Sequence, residues 1–166
     1  MSRVHSASTK PELILRLALW HNGFRYRVNI KRLPGTPDIV LPKYRTVIFV
    51  HGCFWHGHKD CKNATTPKTN TDYWTAKIAR NQQHDQKVWR QLEAKGWFVI
   101  VVWECQLKKT VFNETLNKVA AEIVKNGERY HDFLEERQLS RMEYRRERRA
   151  QQERSAILMK EIKEIL

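Results

Sequence analysis

The stretch TVIFVHGCFWHGHKDC, residues 46–61, decides how the rest of the chain is read. Residues 46–50 are β-branched or aromatic and read as a short buried strand. From His51 to Cys61 the chain then crowds three histidines, two cysteines and the adjacent aromatics Phe54 and Trp55 into one loop. Cys53, His58 and Cys61 form a C-x4-H-x2-C trio, one ligand short of the four that close a structural zinc site. The remaining cysteine, Cys105, lies in Trp103-Glu104-Cys105, directly after the apolar run 97–102. A strand ending there would carry it back to the trio and complete a Cys3His set. Two other readings compete: buried thiols among surface histidines at an accidental spacing, or His51 or His56 as fourth ligand in place of Cys105.

Outward from this loop the pattern is that of an α/β domain. Thr9-Lys10-Pro11-Glu12 reads as a capping box opening a helix with Leu13, Leu17 and Trp20 on one face and Gly23 as its stop. Residues 24–30 alternate as a strand that Leu33-Pro34-Gly35-Thr36-Pro37 breaks. Residues 38–41 and 46–50 follow as strands, joined by a tight turn through Pro42, Lys43 and Tyr44. A long helix is expected over residues 72–95, ended by Gly96, then the apolar strand 97–102 and a helix over 113–126. The sum is a mixed central sheet of about four strands flanked by helices. From Glu128 onward the composition changes: residues 137–154 hold seven arginines and three glutamates without Gly or Pro, and Leu158, Ile162 and Ile165 recur at helical spacing. The chain therefore divides into a domain over residues 1–127 and a charged helical tail over 128–166. That tail reads either as a solvated helix docking its apolar end or as an arginine face on phosphate.

Composition narrows the setting. At 166 residues and 41% apolar content the chain suits one domain with a modest core. A structural zinc would help it, since binding free energies of roughly 10–16 kcal/mol in small finger peptides appear as folding energy. Three cysteines cannot pair into an even disulfide framework, and there is no signal-type apolar segment or 18-residue apolar span. A reducing, cytoplasmic setting is expected. With 31 Lys plus Arg against 18 Asp plus Glu the net charge is +13, and the pI is about 9.9. That balance favours a polyanion, nucleic acid first; an anionic membrane surface fits less well because the charge is spread along the chain instead of forming one polybasic anchor.

The residues that carry chemistry flank the same loop. Pro37-Asp38 opens one strand and, twelve residues beyond Asp38, the next ends in Val50-His51. Two adjacent strands presenting a carboxylate and a second donor at matching height are the arrangement of metal-dependent, restriction-type phosphodiesterases; alone, Asp38 could simply initiate a strand. Val50 offers only its backbone carbonyl, an oxygen donor suited to a hard cation such as Mg²⁺. On the long helix Trp74, Ile78, Asn81, Asp85, Val88 and Leu92 recur at steps of three and four and share one face. Asn81 and Asp85 interrupt an apolar stripe, at about 1–3 kcal/mol for each unpaired neutral group and more for a charge. Water on a Mg²⁺ held by Asp38 could satisfy Asp85, Asn81 and Glu12; backbone or Lys/Arg partners are the alternative for Asn81 and Asp85, and the capping box alone accounts for Glu12. His56, fixed between Cys53 and His58, could deprotonate an attacking water, while His51 could stabilise developing charge or protonate a leaving oxygen. Phe54 and Trp55 cannot both enter the core easily, so at least one is expected to be exposed as a wedge between base pairs, with Trp74 joining it or serving in the core.

These residues together give a chain that resembles the very-short-patch repair (Vsr) endonucleases, bacterial enzymes that nick DNA at T·G mismatches. The resemblance covers residues 9–107. It rests on Thr9-Lys10-Pro11-Glu12-Leu13, on the run from Leu33 to Asp38, on the run from Val47 to His56, on the helix carrying Trp74, Lys77, Ile78, Asn81 and Asp85, and on Trp103-Glu104-Cys105. It implies a restriction-endonuclease-like fold and a structural Zn²⁺ on Cys53, His58, Cys61 and Cys105. It implies a catalytic Mg²⁺ on Asp38 and the Val50 carbonyl, with Glu12, Asn81 and Asp85 around its water shell. His51 and His56 take the acid and base positions, and Phe54, Trp55 and Trp74 the intercalating wedge. The implied reaction is hydrolysis 5′ of the mismatched thymine, leaving a 5′-phosphate, at sites where 5-methylcytosine has deaminated. The implied companions are a cytosine methyltransferase and a mismatch-repair ATPase, for a monomer associated with the nucleoid. Val50 stands where the family often has threonine, and the short lead into the first helix predicts a curtailed N-terminal DNA-gripping arm. Two alternatives belong to other classes: a sequence-specific restriction-type endonuclease of the same fold, and a catalytically inactive zinc-stabilised DNA-binding module.

Overall fold

In a computed structural model, residues 9–65 and 67–165 are described, with side chains through Arg154. The elements run α1 (Lys10–His21), β1 (Ile39–Leu41), β2 (Thr46–His51), α2 (Thr71–Ala94), β3 (Phe98–Trp103) and α3 (Phe112–Ile165). Short 3-10 turns occupy Pro42–Tyr44 and Glu104–Leu107. The sheet order is β1-β2-β3, with β1 antiparallel to β2 and β3 parallel to it. A parallel pair requires a long crossover, and α2 supplies it between β2 and β3. The chain divides into two compact units at Gly127/Glu128, and the sheet lies in the first. Among the described residues no helix is long and apolar enough to cross a membrane.

The two-residue period of the strands sorts the core onto both faces of the sheet. Ile39, Leu41, Ile48 and Val102 pack on one side with Leu15 and Leu19 of α1 and Val119 and Ile123 of α3. Val40, Val47 and Phe49 pack on the other with Val88 and Leu92 of α2. Covering both faces explains why β1 and β2 read as continuous apolar runs and not as an alternation. The result is a mixed α/β unit whose three-stranded sheet has helices on each side.

Four expectations change. Residues 24–30 do not form a fourth strand: they contribute a single bridge, Arg27 to Val40, whose two backbone bonds are each 2.8 Å. Asn29, at φ 49°, turns the backbone out of the extended region directly afterwards. The face of α1 turned inward is Glu12, Leu15, Arg16 and Leu19. Leu13, Leu17 and Trp20, expected to share an apolar face, are 46, 59 and 50% exposed. Thr9 makes no side-chain bond to the helix backbone; its hydroxyl donates to the Glu12 carboxylate at 2.7 Å, so the capping box is not formed as expected. Finally, the helix expected to end at Asn126 continues through Gly127. A Cβ at Gly127 would sit 2.6 Å from Tyr44 Cδ1, so the absent side chain there serves close packing against Tyr44 and not helix termination.

Candidate metal cluster and active site

Strand register brings the chemistry to one end of the sheet. His51 pairs with Trp103 in the parallel ladder, so Cys53 and Cys105, each two residues further on, leave the sheet side by side. In the antiparallel pair Ile39 faces Ile48, which sets Asp38 beside the end of β2. The Val50 N–H donates to Asp38 Oδ2 at 2.7 Å.

The loop after β2 folds back on itself through His56 N–H to Gly52 O, Gly57 N–H to Phe54 O and His58 N–H to Cys53 O. Gly57 is required at its bend: φ is +60°, and a Cβ would lie 2.5 Å from Gln82 Nε2 and 2.7 Å from Ile78 Cγ2. This folding gathers Cys53, His58, Cys61 and Cys105, whose ligand atoms all lie within 4.8 Å of one another. Cys105 Sγ is 3.4 Å from His58 Nδ1, and the His58 ring stacks on Trp103 at 4.1 Å and 6°. Tetrahedral bonds of about 2.0–2.3 Å put ligand atoms roughly 3.3–3.8 Å apart, so the cluster fits a four-coordinate ion of the zinc type. Its thiols differ in environment. Burial pushes the Cys53 thiol up to about 12 and raises Cys105, whereas the Asn63 backbone N–H, the largest influence on Cys61, lowers it. A cation would reverse the cost of ionising the buried pair, since a coordinated thiol is deprotonated outright.

Beside this cluster lies a second one. His51, His56 and Asp85 also present ligand atoms within 4.8 Å of one another. His56 Nδ1 is 2.6 Å from Asp85 Oδ2, and His51 Nδ1 is 3.9 Å from the same oxygen. The two imidazoles stack at 3.8 Å and 15°. His51 is 5% exposed, enclosed by Phe49, Trp89 and Trp103, and its Nδ1 is buried without a hydrogen-bond partner. Burial first, then the neighbouring His56, pulls His51 down to about 4 against the pull of Asp85, so it is a neutral imidazole at neutral pH. Burial raises Asp38 to about 6 despite the Val50 bond; Glu12 adds to the rise, and Arg16 and His56 oppose it. Glu12 is itself 4% exposed and pairs with Arg16, whose guanidinium also donates to the Asp38 carbonyl at 2.9 Å.

Asn81 is drawn to backbone, its amide donating to Trp55 O at 2.8 Å. Phe54, Trp55 and Trp74 form a triangle of edge-on rings with centroids 5.1 to 5.9 Å apart, and Trp55 is 42% exposed. Three participants were not singled out from the sequence. Gln82 donates to the carbonyls of both His56 and Gly57 at 3.2 Å, pinning the loop to α2. Arg16 joins Glu12 to the Asp38 backbone, and Trp89 covers His51. Only Arg16 carried a signal, the four-residue spacing from Glu12.

A triplet of two histidines and one carboxylate beside a Cys3His cluster, at one end of a mixed sheet on a +13 chain, defines a basic α/β protein with two side-chain groups that could each hold a metal ion. Comparison with known proteins supplies the family. The profile described as DNA mismatch endonuclease Vsr matches residues 1–63. The type II nicking enzyme V.NmeAIP of Neisseria meningitidis serogroup A is 52% identical over 124 residues, covering 74% of this chain and 88% of that protein. V.XorIIP of Xanthomonas oryzae, also a type II nicking enzyme, is 50% identical over 107 residues, covering 64% and 78%. The DNA mismatch endonuclease Vsr of Escherichia coli K12 is 41% identical over 108 residues, covering 65% and 69%. The chain belongs to the Vsr family, and it is a DNA endonuclease of the nicking type.

Proposed function

We propose that this enzyme hydrolyses, in a Mg²⁺-dependent reaction, the phosphodiester 5′ of the thymine in T·G mismatches left by deaminated 5-methylcytosine. The observation that supports the reading is a half-buried carboxylate, Asp38, held by the Val50 N–H within the electrostatic reach of His56, an imidazole that Asp85 orients. The domain over residues 1–127 would have the restriction-endonuclease-like fold, with the tail over 128–166 appended.

The donor set suits the two ions. Asp38 and the Val50 carbonyl would offer oxygen donors to Mg²⁺, and Glu12, Asn81 and Asp85 would be hydrogen-bond partners for its water; Cys53, His58, Cys61 and Cys105, whose ligand atoms cluster, would offer sulfur and nitrogen donors to Zn²⁺. When bound, Mg²⁺ would neutralise charge on the phosphate and offset the cost of keeping Asp38 ionised. The chain's own residues do the rest. The Asp85 carboxylate can only accept, so His56 Nδ1 carries its proton and Nε2 is left with the lone pair to take a proton from water. As the water oxygen bonds to phosphorus, the bond from phosphorus to the 3′ oxygen breaks and that oxygen keeps the electron pair and takes a proton from solvent, giving a 3′-hydroxyl and a 5′-phosphate. His51, neutral at neutral pH, favours the role of N–H donor to the developing charge over that of a cationic acid. The Phe54, Trp55 and Trp74 triangle is the wedge beside the mismatch, with Trp55 the most exposed of its rings.

This reading brings a cytosine methyltransferase as genetic companion, contact with a mismatch-repair ATPase, and a cytoplasmic monomer working on the nucleoid. The Asp38→Ala variant tests it against a pure binding module: cleavage should be lost while duplex binding remains. Cleavage by Asp38→Ala at the wild-type rate would sink the catalytic assignment.

A further inference from the structure

The segment of α3 in the second unit has one face whose only charges are arginines, while Arg129, Arg146 and Arg154 lie among the acidic residues of the other. At about 100° per residue, Arg137, Arg141, Arg145 and Arg148 fall within an arc of about 80°. Every Asp and Glu from Glu128 to Glu153 falls within an arc of about 120° on the opposite side. None of the four arginines has an acidic residue three or four positions away, the distance at which a helix pairs its charges. Instead each faces another arginine at that spacing, which destabilises an isolated helix. Residues 131–149 are all exposed, and among the described residues no ion pair involves Arg137, Arg141, Arg145 or Arg148. The helix intersperses both signs on one side, but the face of Arg137, Arg141, Arg145 and Arg148 carries no acid to neutralise it.

We propose that this face is a second DNA-binding surface, docking along the phosphate backbone of duplex DNA. Charge complementarity selects the occupant, since the chain acts on DNA and the face presents planar guanidinium forks suited to phosphate. Its length fits as well. From Arg137 to Arg148 the helix rises about 17 Å, which matches about five phosphates at the roughly 3.4 Å axial rise of one strand. Contacts of this kind carry no sequence information, so the surface adds affinity for any duplex and leaves mismatch choice to the first unit.

The test uses the full chain and a fully matched duplex, so its outcome is independent of the T·G assignment. Fluorescence anisotropy across a salt series gives the slope of log affinity against log salt. Releasing four phosphate contacts should make that slope shallower by about 3 to 4 in the Arg137→Gln, Arg141→Gln, Arg145→Gln, Arg148→Gln variant. The same four positions as lysine should keep the wild-type slope. Glu136→Gln, Glu143→Gln, Glu147→Gln and Glu153→Gln on the opposite face should leave the slope within one unit, although they raise the net charge by the same amount. Should the glutamine variant lose helix content by circular dichroism, this opposite-face variant still decides. An unchanged slope in the arginine-to-glutamine variant overturns the proposal. So does an equal steepening on the acidic face, which would mean bulk charge alone, or binding to phosphatidylserine vesicles with no change on DNA.

Discussion

Asp38 is held where its charge is costly. Its folded value lies above the ordinary 3.8, at about 6, chiefly through burial. A carboxylate raised in the folded state contributes stability below its unfolded value and loses it as pH climbs through the folded one. In Mg²⁺-free buffer without chelator, the stability that Asp38 contributes should therefore decline between about pH 4 and pH 6, and Asp38→Asn should remove that part of the pH dependence. At about 1.36 kcal/mol per pH unit that substitution should stabilise the Mg²⁺-free protein by about 1–3 kcal/mol at pH 7 while abolishing nicking. The difference in urea unfolding between wild type and variant at pH 4 and pH 7 checks this, and a destabilised Asn variant at pH 7 would refute it. His56→Ala should reduce the single-turnover rate by roughly 10²–10⁴. Asp85→Asn should cost less and change the pH profile, because it alters the imidazole that His56 presents without removing it. That Asp38, His56 and Asp85 lie near one another was legible because a carboxylate and a histidine at a strand end, and an acid in an apolar helix stripe, each break a local pattern. Gln82 was not, because a partly buried glutamine bonded to two carbonyls leaves no periodic trace.

The loop between β2 and α2 is set by its neighbours more than by its own propensities. The Cys53 and Cys105 pairing was legible because two strands ending in short cysteine-bearing segments converge if they are parallel, and the register of His51 with Trp103 makes them do so. With zinc on the Cys3His cluster as proposed, Cys105→Ser should lower zinc content and reduce stability by several kcal/mol, given roughly 10–16 kcal/mol for structural zinc in finger peptides; zinc content and thermal unfolding together measure it. Gly57→Ala should destabilise by about 1–3 kcal/mol through its positive φ and the Gln82 and Ile78 contacts. The inward face of α1 was misread because Glu12 and Arg16 are buried as a pair, so the hydrophobic positions taken alone point to the wrong side. Leu15→Ala should accordingly cost about 2–5 kcal/mol, while Leu17→Ser should stay within about 0.5 kcal/mol.

Across the whole chain, the proposed function assigns affinity to the +13 charge and chemistry to the end of the sheet. DNA binding should weaken steeply with salt for matched and mismatched duplexes alike, whereas discrimination between them should persist, because phosphate contacts position and only contacts at the base pair choose. The two-sided core was readable from the continuous apolar runs of β1 and β2. The unbroken course of α3 past Gly127 was not, because a glycine that admits Tyr44 is indistinguishable in sequence from one that ends a helix. The most direct measurement is strand-specific nicking of end-labelled duplexes that differ only in one T·G or T·A pair, across varied flanking sequences, in Mg²⁺ and in EDTA. A single Mg²⁺-dependent nick 5′ of the thymine, in the T·G duplex alone, is the predicted result; equal cutting of the T·A duplex, or cutting in EDTA, would contradict it.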